Sequence, residues 1–202
     1  MEDKKKTVLL RALICGLTLA AIFYVTSFAS TANSVRSDCV RLHILANSDS
    51  DKDQSLKLKV RDVLLKSGEE LFSGSVSPDD VKQELEKSKE KLISAAEKVI
   101  LDEGFEYGVD IYFIEEYFTT RSYGEYTLPA GRYKAVKVVI GEGKGHNWWC
   151  VMFPPLCLPG FCETEKEVYL TENGSELIEE NPKLEPRFKI VEWFEKLYEK
   201  IG

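Results

Sequence analysis

Apolar residues recur along this chain with changing periods, and each change of period marks an element. In Ser37 to Ala46 (SDCVRLHILA), Val40, Leu42 and Ile44 alternate with Arg41, His43 and Leu45, the period of two expected of a half-buried strand. Asn47-Ser48-Asp49-Ser50-Asp51 then offers side chains that bond backbone amides. Ser50 and Asp53 have the spacing of a capping box, so a helix is predicted from Asp51 onward. Leu56, Val60, Val63 and Leu64 recur at intervals of three and four, with Lys57, Lys59, Arg61 and Asp62 elsewhere on the wheel.

Ser73-Gly74-Ser75 breaks that helix. Ser77-Pro78-Asp79-Asp80 starts a second one, with a capping serine, proline at its first position and two acids favoured by the N-terminal dipole. Its stripe is Val81, Leu85, Leu92, Ile93, Ala96, Val99 and Ile100, and the polar run from Glu84 to Lys91 reads as a solvated face. From Tyr107 to Phe118 and again from Arg132 to Ile140 the chain is rich in Val, Ile, Tyr and Phe, with Gly124 and Pro129-Ala130-Gly131 between. These segments predict antiparallel neighbours joined by a long hairpin. The glycine-rich turn Gly141 to Gly145 leads into a further strand at Trp148 to Phe153, and a last helix is predicted over Arg187 to Tyr198, carrying Phe188, Val191, Phe194, Leu197 and Tyr198. The fold class expected is α+β: a mainly antiparallel sheet of about four strands, packed by the two consecutive helices and a C-terminal helix.

The first 32 residues do not belong to this pattern. Lys4, Lys5, Lys6 and Arg11 precede an apolar run from Ala12 to Phe28, which is 17 residues long. That length lies between a signal-peptide core and the roughly 20 residues needed to span a bilayer. Ser27-Phe28-Ala29 and Ser30-Thr31-Ala32 both fit the small-x-small rule for a cleavage site. Residues 1–32 are therefore read as a signal peptide, with cleavage favoured over retention as an N-terminal membrane anchor, and residues 33–202 as one exported globular domain. A buried core helix would leave the lysine cluster without a role.

Charge narrows the function. The net charge is −7. Four basic residues against Glu2 and Asp3 make the first 32 residues positive by two, so the body carries −9. An acidic body argues against nucleic acid, whose phosphates require clustered Lys and Arg, and leaves the N-terminal segment as the one route to a membrane.

No catalytic constellation assembles from spacing. The run Gly-Glu-Gly-Lys-Gly lacks the arrangement of a phosphate-binding loop. His146, Cys150, Cys157 and Cys162 match no closed zinc pattern, and Asp49, Asp51 and Asp53 lack the glycine and terminal glutamate of a calcium loop. His146 and Cys150 share a face of an extended strand but at about 13 Å, too far for proton transfer. No cofactor, no metal and no catalytic residue are expected.

What stands out instead is Gly145-His146-Asn147-Trp148-Trp149-Cys150-Val151-Met152-Phe153-Pro154-Pro155-Leu156-Cys157. Adjacent tryptophans put large amphipathic rings on opposite faces of an extended backbone, so one can enter a core while the other meets a partner. Pro154 and Pro155 forbid helix and central strand, giving a stiff segment between two cysteines. In an exported chain a Cys150–Cys157 bridge is the favoured reading, closing a loop of eight residues worth about 2.5 kcal/mol; two free thiols, or partners at Cys39 or Cys162, are the alternatives. Asn147, Trp148, Trp149, Phe153, Pro154 and Pro155 are the candidate partner-binding residues.

VRLHILANSDSDKDQSLKLKVRDVLL (Val40 to Leu65), PAGRYKAVKVVIGEGKGHNWWCVMFPPLC (Pro129 to Cys157) and RFKIVEWF (Arg187 to Phe194) resemble the stage II sporulation protein R family. The resemblance implies a signalling protein of endospore-forming bacteria. Such a protein is made in the forespore and secreted across the forespore membrane into the intermembrane space; in this chain, retention there by the N-terminal segment is the alternative that residues 1–32 leave open. There it triggers a membrane-embedded aspartic protease of the sporulation septum, which processes the precursor of the mother-cell sigma factor E. It also implies that the protein is not itself the protease. Cys39 and Cys162 cannot be carried over from the family. A hydrolase acting in the intermembrane space through His146, and a purely structural protein of that space, are the competing readings.

Overall fold

The computed structural model describes residues 2–75, 77–123, 126–153 and 192–193. In chain order it holds helix α1 (Glu2–Asp38), strand β1 (Val40–Leu45), helices α2 (Asp51–Phe72) and α3 (Pro78–Asp102), then strands β2 (Val109–Phe118), β3 (Arg121–Tyr123), β4 (Tyr126–Leu128), β5 (Gly131–Ile140) and β6 (Asn147–Phe153). The expected C-terminal helix lies outside the described residues apart from Glu192 and Trp193, which are helical. Pro154, Pro155, Cys157 and Cys162 also lie outside them.

The fold is α+β. Four strands form one sheet in the order β2-β5-β1-β6, and β3 pairs with β4 in a separate small ribbon. β2 and β5 are antiparallel, from Val109 opposite Ile140 to Phe118 opposite Gly131. β1 runs antiparallel to β6 but parallel to β5, so the sheet is mixed while mostly antiparallel. The parallel pair follows from the connection, since α2, α3 and β2 intervene before the chain returns beside β1.

Alternation sends each strand's side chains to two faces. On one face Val40, Leu42 and Ile44, Val136, Val138 and Ile140, and Cys150 and Met152 pack against Leu56, Val60, Leu64, Val81, Leu85, Leu92 and Ile100 of α2 and α3. The two helices start where the sequence places them. Ser50 Oγ accepts from Asp53 N, and Ser77 Oγ accepts from Asp80 N with Pro78 leading the helix.

The second face is also covered, which corrects the reading of β1 as half-buried: Arg41 is 0% and His43 3% exposed. What covers it is the end of α1 with the β3–β4 ribbon. Phe28, Ala32, Val35 and Cys39 form a second core with Phe118, Leu128, Tyr133, Ala135 and Val151. The helix α1 runs past residue 32 to Asp38, and its last turns pack into this second core.

Candidate functional site

β6 carries the tryptophan pair and is the last strand in the sheet order. Opposite β1, Trp148 pairs with Ile44 and Trp149 with His43. The rings do point to opposite faces, and both are half-buried. Trp148 packs against the α2–α3 core, and the Arg61 guanidinium of α2 lies 4.5 Å from its ring centre. Trp149 lies over the second face. It stacks on His43 at 3.7 Å between centroids with 16° between planes, meets Phe118 edge-on at 4.7 Å, and has Arg121 at 5.9 Å.

Of the other candidate residues, Asn147 is exposed at the start of β6 and reaches His43. Phe153 is 2% exposed and belongs to the larger core. The Cys150–Cys157 bridge, like Pro154 and Pro155, involves positions outside the described residues. Cys39 is free and buried, and burial pushes its thiol up to about 12 against the pull of Arg41.

The residues that sequence reasoning missed lie beneath Trp149. His43 Nδ1 is 2.6 Å from Glu116 Oε2 and its Nε2 is 2.9 Å from Asn147 Oδ1. Lys137 Nζ bonds the other oxygen of Glu116 at 3.0 Å. Arg41 sits in a cage of Phe118, Tyr133 and Tyr123, at 4.4, 5.0 and 5.4 Å from the ring centres. Its Nε donates to Cys150 O at 3.0 Å and its Nη2 to Tyr123 Oη, while Nη1 has no hydrogen-bond partner. Burial raises the Tyr123 and Tyr133 phenols despite that nearby guanidinium. An arginine and a histidine in the middle of an otherwise apolar strand were the available signal. Alternation alone assigned them to solvent.

A second polar cluster joins the β5–β6 turn to the start of α2. Asp49 accepts from His146 N at 2.6 Å and contacts His146 Nδ1, and its carboxyl is held below the ordinary range chiefly by that side-chain hydrogen bond. Lys57 Nζ donates to His146 O at 2.8 Å and to Gln54, and burial pulls the ammonium below its usual value, with Asp49 opposing. The capping box is only half made. Asp53 N does donate to Ser50 Oγ, but its carboxylate accepts from Ser48 and Asn47, and Ser50 N donates to Ser48 Oγ instead.

The same cluster explains the glycine run. Gly141 has φ 58°, and a Cβ on Gly145 would lie 2.2 Å from Ser48 O, so these glycines serve a tight turn and a close approach. His146 is exposed and tied to Asp49, whereas Cys150 points into the helical core at 2% exposure. The fold does not bring them together.

These features define an α+β domain carried on one apolar N-terminal helix, with a tryptophan-bearing strand last in the sheet order among the described residues. The family model for stage II sporulation protein R matches residues 36–163, and the chain belongs to that family. It is 36% identical over 126 residues to stage II sporulation protein R of Bacillus subtilis (strain 168), which covers 62% of this chain. The match spans 56% of that relative's length. No solved structure matches. The chain is thus a sporulation-related protein.

Proposed function

We propose that this protein is an exported signal of endospore formation. It passes from the forespore into the intermembrane space, where its domain engages and activates the membrane-embedded aspartic protease that processes the sigma E precursor. Family membership gives the sporulation context, and the observation that carries the surface is Trp148–Trp149: two adjacent, half-buried indoles on opposite faces of β6, each backed by an arginine. Half-buried tryptophans flanked by arginine are favoured interface anchors. Asn147 lies beside them at the surface. Pro154, Pro155 and the Cys150–Cys157 bridge are proposed to stiffen the chain that follows.

The test is precursor processing in sporulating cells that carry Trp148→Ala, Trp149→Ala or both, with the amount of folded exported protein measured alongside. Loss of processing at unchanged protein level supports the surface. Normal processing by the folded double variant removes it.

One observation favours a second reading, a hydrolase: Asp49 orients the exposed His146 ring through Nδ1. Purified His146→Gln protein would then keep its fold and lose turnover of peptidoglycan or peptide. Absence of turnover by the unaltered protein on both substrate classes ends that reading.

A further inference from the structure

The N-terminal helix belongs to two environments at once. From Val8 to Tyr24 its large apolar side chains, among them Leu9, Leu13, Leu17 and Phe23, are 52–76% exposed. Val8 to Ser27 is 20 residues, which at about 1.5 Å per residue spans roughly 30 Å, the thickness of a bilayer's hydrocarbon core. This is the one helix among the described residues long and apolar enough to cross a membrane. Lys4, Lys5 and Lys6 just before this span, with Arg11 in its first turn, mark its N-terminal end as the cytoplasmic one.

One turn later the same helix enters the protein core. Phe28, Ala32 and Val35, spaced to share one helical face, are 5%, 0% and 0% exposed. Arg36 Nη1 donates to Ala130 O at 2.6 Å, and its side chain lies so close to Gly131 that a Cβ there would be 2.5 Å from Arg36 Cδ. Both small-x-small cleavage bonds, after Ala29 and after Ala32, fall inside this packed helix. Cutting after Ala29 strips Phe28 from the second core, and cutting after Ala32 strips Ala32 as well. Either cut removes the helical turns that hold the packed segment in place.

We infer that the helix is not cleaved, and that it anchors the folded domain in the lipid bilayer as a rigid, continuous stalk. No linker separates bilayer from domain, because the exposed apolar segment and the packed segment are one continuous helix. The signal is then a tethered one, and it reaches only partners held at a membrane. This replaces the cleaved signal peptide expected from residues 1–32, and it rests on the export reading above.

The experiment uses the full chain with a C-terminal tag, made in cells of an endospore-former that are then converted to protoplasts. Three quantities are read: intact mass of the chain, its partition after alkaline carbonate, and its digestion by protease added outside. An intact N-terminus, retention in the carbonate-washed membrane and digestion from outside are the expected results. A shorter, released product beginning at Ser30 or Asn33 overturns the tether and leaves export standing. An intact, membrane-held chain that external protease cannot reach places the domain in the cytoplasm and overturns export and the outward tether together.

Discussion

His43 of β1 lies face to face with Trp149 of β6, ring centroids 3.7 Å apart, while its two nitrogens meet Glu116 and Asn147. The indole is thereby fixed by a stacked ring beneath it and by Phe118 at its edge. A candidate recognition residue is held in place by a buried polar group on the neighbouring strand.

That arrangement separates fold from surface. Trp149→Ala loses the stack and leaves a gap over His43. It should cost about 2–3 kcal/mol, below the full value for a wholly buried tryptophan because the ring is only half-buried. Trp149→Phe keeps an aromatic face over His43 and should cost about 1 kcal/mol. Urea midpoints of the two variants check the order.

Glu116 holds two partners, His43 and Lys137. Glu116→Ala leaves the buried imidazole without its carboxylate and should cost about 2–3 kcal/mol, as expected for loss of hydrogen bonds to a charged group. Glu116→Gln, which keeps the shape and one acceptor, should recover part of it in the same denaturation series.

Arg41 yields a prediction of opposite sign. It is fully buried, its Nη1 is unpartnered, and aromatic rings with one carbonyl and the Tyr123 hydroxyl replace the usual carboxylate. An apolar side chain of similar length avoids the desolvation, so Arg41→Met should change stability by less than about 1 kcal/mol or raise it. Arg41→Lys keeps the charge but cannot reach both the Cys150 carbonyl and Tyr123, and should lose about 2–3 kcal/mol. Thermal unfolding of both variants decides the sign.

The loop before α2 should make the protein acid-sensitive. Burial raises the Asp53 carboxyl, but hydrogen bonds from Ser48, Asn47, Tyr107 and Ser50 outweigh it and leave the group below its ordinary value. Asp49 is lowered too, first by its hydrogen bond with His146. A depressed folded value means stability that is present above the unfolded carboxylate value of about 3.8 and lost as pH falls through the folded one. Asp53→Asn should flatten the dependence of the urea midpoint on pH below 4, and Ser50→Ala should cost about 1 kcal/mol at any pH through the lost cap.

Cys39 should resist chemistry. Its thiol is buried and pushed up to about 12, so thiolate is scarce at pH 8. Iodoacetamide should leave it unmodified in the folded protein and label it in urea. Labelling of the native protein would show that the second core opens.

The sequence by itself determined the local elements, because their causes are local. Ser50 and Ser77 start α2 and α3 by capping nearby amides, Pro78 fits only a first turn, and the alternation of Val40, Leu42 and Ile44 in β1 and the Val, Ile, Tyr and Phe of β2 and β5 need nothing beyond a pleated strand. The opposed tryptophans follow from the same pleat, and the family was legible from Val40 to Leu65 and Pro129 to Cys157, both inside the residues that the family model matches. What only the tertiary structure decided is what each face meets. Alternation marks Arg41 and His43 as off the helical core, but it does not show that the end of α1 and the β3–β4 ribbon cover the other side. Nor does a cleavage pattern read over three residues register that Phe28 and Ala32 pack against Tyr133 and Val151, contacts made more than 90 residues away along the chain. Neighbours along the chain govern backbone conformation, whereas burial depends on segments that folding alone brings together.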